Sequence, residues 1–207
     1  SDRDGALAIY WQLAGGGGGA ERLTAPRRGE AHVPESWMPT GEGFLFSVVK
    51  GDEESLWTFT LQERQAKPFG DVHSSIPTGA TFSPDGRWVA YASAKPETAS
   101  MAIYVQPFPA TGATYPLFVR QPANGPTNAP HKPVWSTDGK ELFYVPRIGE
   151  FEVVRITMQP RFAFSNPVMV PRAFNPGRPD LRRMYDISPD GRFLGLVPTE
   201  RTYAEAF

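Results

Sequence analysis

The stretch ATFSPDGRWVAYAS, residues 80–93, decides the fold. Ser83-Pro84-Asp85-Gly86 has the chemistry of a type I turn. Ser83 suits the first position, and Pro84 has its φ already set for the second. Asp85 suits the third, and Gly86 takes the left-handed position that follows. On either side lie apolar runs, Ala80 and Phe82 before the turn and Trp88 to Tyr91 after it. Two such runs joined by a short glycine-ended turn read as a β-hairpin. Nearly the same phrase returns as PVWSTDGKELFYV, residues 133–145, and YDISPDGRFLGLV, residues 185–197.

A degenerate fourth copy precedes these three. Trp37, Pro39, Gly41 and Phe44-Leu45-Phe46 keep its register, although Thr40 replaces the aspartate and Glu42 follows the glycine. The four turn glycines are Gly41, Gly86, Gly139 and Gly191, with steps of 45, 53 and 52 residues. After each of the first three hairpins come two more apolar stretches, such as MAIYVQPF and TYPLFV. Four short strands at this period are the mark of a β-propeller blade. Labelled a to d from the hub outward, they give one all-β propeller domain over residues 1–207. Residues 1–28 supply strands c and d. Residues 29–72, 73–122 and 123–176 each supply a full antiparallel blade, and residues 177–207 supply strands a and b. Two arrangements fit three full blades plus two halves. The halves join to close a four-bladed ring, or the chain is an arc of a larger ring. An arc exposes unpaired strand edges, which favours pairing between two chains as a homodimer.

Composition agrees with this class. The 207 residues include 22 Pro, 20 Gly and 13% aromatics, which favour short strands and many turns over helices. The net charge of −1 offers no electrostatic attraction to nucleic acid or anionic lipid. No apolar run approaches the roughly 20 residues of a helical membrane span. With no cysteine, disulfides and thiolate metal sites are excluded, which fits an extracytoplasmic protein. The start SDRDG, without Met, reads as that of a trimmed or processed chain.

The phrases SPDGRWVAYAS, MAIYVQPFP and STDGKELFYV resemble the repeats of the TolB-like (PD40, WD40-like) propeller family. The likeness is strongest to propellers that follow bacterial Ser/Thr kinase domains or stand alone as periplasmic proteins. It covers essentially the whole chain. It implies a ring of usually six blades whose two ends share one blade, and an extracytoplasmic location.

Most motifs have structural explanations. Gly15 to Gly19 lacks the Gly-Lys-Ser/Thr ending of a phosphate loop and reads as a c–d hairpin loop. Ser1 to Gly5 is too short for an EF-hand. No Gly-x-Ser-x-Gly elbow is present. Asp85, Asp138 and Asp190 recur with Gly86, Gly139 and Gly191, so they read as turn residues bonding to backbone N–H groups. Trp37, Phe82 and Trp135 recur at one repeat position and read as core between blades. RPDLRR, residues 178–183, reads as a solvated basic loop.

His32 and His131 stand near the start of two a strands, where the chain reaches the hub, and His73 falls in the lead-in to the following blade. With Glu35, Arg183 and Asp186, these two histidines outline a channel mouth able to bind a small ligand or a protein partner. The bland alternative is a set of solvated loop residues. As a metal set, Glu35, Asn128, His131 and Asp186 would offer ligands to Ca or Zn, with His32 as a base. His plus carboxylate suits Zn, whereas Ca wants more oxygens. The expected function is a non-catalytic binding module without cofactor, for protein interaction or extracytoplasmic ligand sensing. The alternative is a Ca-dependent hydrolase or lactonase with its site at the central channel. A third reading is an accessory propeller of a kinase or peptidase.

Overall fold

The computed structural model describes residues 6–95, 100–117, 129–158 and 161–197. Among them there are strands and turns and no helix. β1 (Tyr10–Trp11) pairs with β2 (Glu21–Arg22). The first full blade is β3 (Glu30–Trp37), β4 (Gly43–Lys50), β5 (Glu53–Thr60) and β6 (Gln65–Ser74). The second is β7 (Thr81–Phe82), β8 (Trp88–Lys95), β9 (Ser100–Pro107) and β10 (Tyr115–Pro116). The third is β11 (His131–Trp135), β12 (Glu141–Val145) and β13 (Glu152–Thr157), with the outer position split between β14 (Ala163–Phe164) and β15 (Val168–Met169). β16 (Tyr185–Ile187) pairs with β17 (Phe193–Gly195). Every ladder is antiparallel.

The turns are built as the sequence dictates. Gly86 N–H donates to Ser83 C=O (2.9 Å), and Ser83 Oγ accepts from Trp88 N–H (3.0 Å). Asp85 Oδ1 accepts from Ser83 Oγ (2.5 Å) and Arg87 N–H (3.1 Å). Ser136, Asp138 and Gly139 repeat this set. Ser188, Asp190 and Gly191 keep it one residue shorter, with Ser188 Oγ accepting from Arg192 N–H (3.2 Å). All four turn glycines have φ between 70° and 82°, where a side chain would be strained. Burial raises the Asp85 pKa, but the bonds from Ser83 and Arg87 outweigh it and hold the carboxyl below its usual value. Asp85→Ala is expected to cost about 1 kcal/mol, read as a lower urea midpoint with unchanged slope.

Strand alternation explains how the blades stack. In β8, Ala90, Ala92 and Ala94 face the third blade, while Val89 and Tyr91 face the first. In β12, Leu142 and Tyr144 meet the second blade, and Phe143 and Val145 meet β16–β17. In β4, Leu45 points to the second blade, and Phe44 and Phe46 point to the β1–β2 hairpin through Ile9 and Leu23. Period-two alternation thus feeds two different interfaces from one strand. The three small alanines of β8 leave room for the bulky Trp135 and Tyr144 opposite.

Two expectations need correction. Phe82 and Trp135 are core, but Trp37 is 55% exposed. Among the described residues, the two short strands β1 and β2 precede the first blade on that side. Trp37 packs edge-on against Phe44 instead. His73 belongs to β6, with Nδ1 2.8 Å from Glu53, and not to a lead-in. Among the described residues no ladder joins β1–β2 to β16–β17.

Candidate functional site

The inner ends of the blades converge on a hub. A pocket of about 170 Å³ is lined by Pro34 and Glu35 from the first blade, and Pro77, Gly79 and Ala80 leading into the second. Lys132 of the third blade and Leu181, Arg182 and Arg183 before β16 complete it. The prolines fit here because the inner strand is a sheet edge, where no ladder N–H is needed.

Irregular backbone aims the key side chains. β3 carries a bulge between Pro34 and Ser36, and the extra residue is Glu35. A bulge redirects a side chain out of the ladder. Glu35 turns inward, its side chain only 6% exposed. Its Oε1 accepts from Ser47 Oγ (2.7 Å) and Thr78 Oγ1 (3.5 Å). Glu54 of β5 lies beside it, its side chain 9% exposed, with Oε2 accepting from Thr78 N–H (3.2 Å). Arg182 reaches both, Nη1 to Glu35 Oε1 (2.5 Å) and Nη2 to Glu54 Oε1 (3.1 Å). Burial pushes the Glu35 pKa above its ordinary value, and the Arg182 charge and the Ser47 bond oppose that.

β11 has the same kind of irregularity between His131 and Val134, and Lys132 there adopts a φ of 55°. That conformation is uncommon for a residue with a side chain and tends to mark functional sites. Lys132 is buried, and its Nζ donates to Pro176 C=O (2.9 Å). Tyr185 Oη donates to Lys132 C=O. Gly177 passes close by, where an added Cβ would stand 2.6 Å from Lys132 Nζ. Burial lowers the Lys132 pKa to about 8, against a partial offset from Asp180. Because the folded pKa is below the unfolded value of 10.5, the folded state holds fewer protons between pH 8 and 10.5. Stability from this group therefore rises with pH across that window. Thermal melts of the native chain and Lys132→Met from pH 7 to 10 are expected to converge or cross in the native chain's favour as pH increases.

The sequence-based site residues separate into different places. Glu35 and Arg183 line the hub pocket. Arg183 Nη1 donates to Pro133 C=O (3.0 Å). Asp186 is exposed, 3.8 Å from Arg183. His131 is fully buried rather than facing the channel. Its Nδ1 lies 2.7 Å from Ala129 C=O and its Nε2 3.4 Å from Gly177 C=O, and burial lowers its pKa to about 4. His131 is thus a neutral brace under Lys132. His32 lies in another cavity, of about 340 Å³, between the β1–β2 hairpin and the first blade, packed on Phe46. Asn128 and Ser1 to Gly5 lie outside the described residues. Among the described residues, no three His, Asp or Glu side chains group closely enough to hold a metal. Lys132, Arg182 and Glu54 were not singled out by the sequence. Lys132 could have been found as the one charge inside the apolar strand HKPVW.

No protein-family model matches this sequence, and no curated protein matches it. Solved structures do. TolB from Acinetobacter baumannii superposes with a TM-score of 0.61 at 13% identity, over 90% of this chain and 42% of that one. A putative TolB from Agrobacterium tumefaciens gives 0.59 at 18% identity, over 91% and 66%. The propeller domain of the Trilobed protease from Pyrococcus furiosus gives 0.50 at 14%, over 69% and 43%. The fold is that of a TolB-like β-propeller. The chain spans about two fifths to two thirds of the length of the TolB structures it matches.

Proposed function

We propose that this chain is a non-catalytic TolB-like propeller module that binds a charged group of a protein partner, or of a small extracytoplasmic ligand, at its hub. One observation carries this reading. Four successive inner ends build a single pocket in which Glu35, Lys132, Arg182 and Arg183 converge. Its volume of about 170 Å³ suits a side chain or a small headgroup, since pockets for drug-sized ligands run from about 300 Å³ upward. The recurrent aspartates are engaged in turns, which leaves the hub charges as the groups with chemistry to offer. The absence of cysteine and the TolB-like fold support an extracytoplasmic location.

A thermal-shift panel tests the reading. Small zwitterions, amino-acid amides, dicarboxylates, Ca²⁺ and Zn²⁺ would be offered to the native chain, Lys132→Met and Arg183→Ala. A binding module gives a charged organic hit that either substitution weakens, with melting unchanged by chelator. Stabilisation by Ca²⁺ or Zn²⁺ alone, lost in Glu35→Gln, would favour the metal-dependent hydrolase instead.

A further inference from the structure

We infer that the Glu35–Glu54 pair is a receptor for a guanidinium group, filled in this chain by Arg182 and opened when an arginine of a peptide partner displaces it. The inference rests on the hub reading and names the chemistry of its ligand. The receptor is built without Arg182. The bulge in β3 aims Glu35 inward, and β5 sets Glu54 beside it. Ser47 of β4 and Thr78 before β7 fix the two carboxylates through their hydroxyls and one backbone N–H. All these residues belong to the first two blades.

The cation comes from elsewhere. Arg182 follows the Arg178–Leu181 turn, 147 residues from Glu35 in sequence. Its side chain is 41% exposed, and its neighbour Leu181 is 42% exposed. The Arg182 side therefore leaves at small cost in burial, whereas the two carboxylates, nine-tenths buried, need a cation. The geometry selects guanidinium. One planar group donates from Nη1 to one carboxylate and from Nη2 to the other, a fork that the ammonium of a lysine does not reproduce. An internal arginine seated on a prebuilt anionic receptor acts as a stopper, lowering apparent affinity by the fraction of chains in which it is out.

The test is occupancy of the vacated receptor. N-acetyl-argininamide is titrated calorimetrically into Arg182→Ala, with N-acetyl-citrullinamide as the neutral isostere. Expected is a dissociation constant on the order of 1 mM, since a lone side chain offers few contacts. A rise in Tm of about 5–6 °C at roughly 50 mM probe should accompany it. The native chain should bind at least about 10-fold more weakly, and Glu35→Gln in the Arg182→Ala background should lose the binding. Equal affinity of the native chain, equal binding of citrullinamide, or no binding to a folded variant would overturn the inference. So would an unfolded Arg182→Ala chain that the probe does not restore, because Arg182 would then be only a structural tie. Failure here leaves panel hits that depend on Lys132 and Arg183 standing, whereas failure of the hub reading removes those as well.

Discussion

Phe151→Ala is expected to destabilise the protein by about 3–5 kcal/mol and lower its Tm by roughly 10 °C. Phe151 is 1% exposed and sits at the centre of an aromatic cluster. Its ring lies 5.1 Å from Tyr185, 5.4 Å from Phe174 and Phe193, and 5.9 Å from Phe143. Edge-to-face pairs at such distances add to the burial energy. The cluster also fastens β16 and β17, which have only three residues each and no other ladder among the described residues. Loss of Phe151 should therefore loosen this half blade first. Hydrogen exchange would show it as lost protection at residues 185–195, ahead of β8 and β12. A change below about 1 kcal/mol would mean that the cluster does not hold the half blade.

Arg182→Ala is expected to cost about 2–3 kcal/mol at pH 7. Removing one partner of a buried ion pair costs about 3–5 kcal/mol, discounted here because Arg182 is partly exposed. The variant should also become strongly pH-dependent. The Glu35 pKa is already raised by burial, and Arg182 is the charge that opposes the rise. Without it the folded pKa climbs further above the unfolded one. The folded state then binds more protons than the unfolded state within that window, so stability falls as pH rises through it and recovers on acidification. The native chain should show the same sign with a smaller amplitude. Urea melts of both chains between pH 4 and 7 measure the difference, and Glu35→Gln added to Arg182→Ala should restore about 1 kcal/mol or more at pH 7.

The blades were readable because they depend on short-range rules. A Ser-Pro-Asp-Gly turn and alternating apolar residues specify a hairpin wherever they occur, and four copies specify the stack. The exception, Trp37, follows from neighbours and not from its own repeat position. The same residue type is buried at Trp135, where the preceding blade supplies a full face. The hub was legible only in part. Arg183 could be placed by its register with His131, and Glu35 by its closeness to the start of the first a strand. Arg182 was hidden within a basic run that reads as solvated loop, because its partners are more than a hundred residues away. Lys132 stood out only as a charge in an apolar strand, and its left-handed backbone was hidden because it comes from tertiary context, the Pro176–Gly177 segment passing over it and His131 buried beneath. His32 was grouped with the channel by register, but the bulge at Glu35 falls after it, so it faces the neighbouring cavity instead.

The most direct measurement is a double-mutant cycle between Glu35 and Arg182, by urea denaturation at pH 7, using Glu35→Gln, Arg182→Ala and the pair. A charge-assisted bond that joins the last half blade to the first full blade across the hub should give a coupling energy of about 1.5–3 kcal/mol. A coupling below about 0.5 kcal/mol, with each single variant folded, would mean that the two side chains do not meet in solution. The shared hub pocket would then lose the contact that joins its two sides.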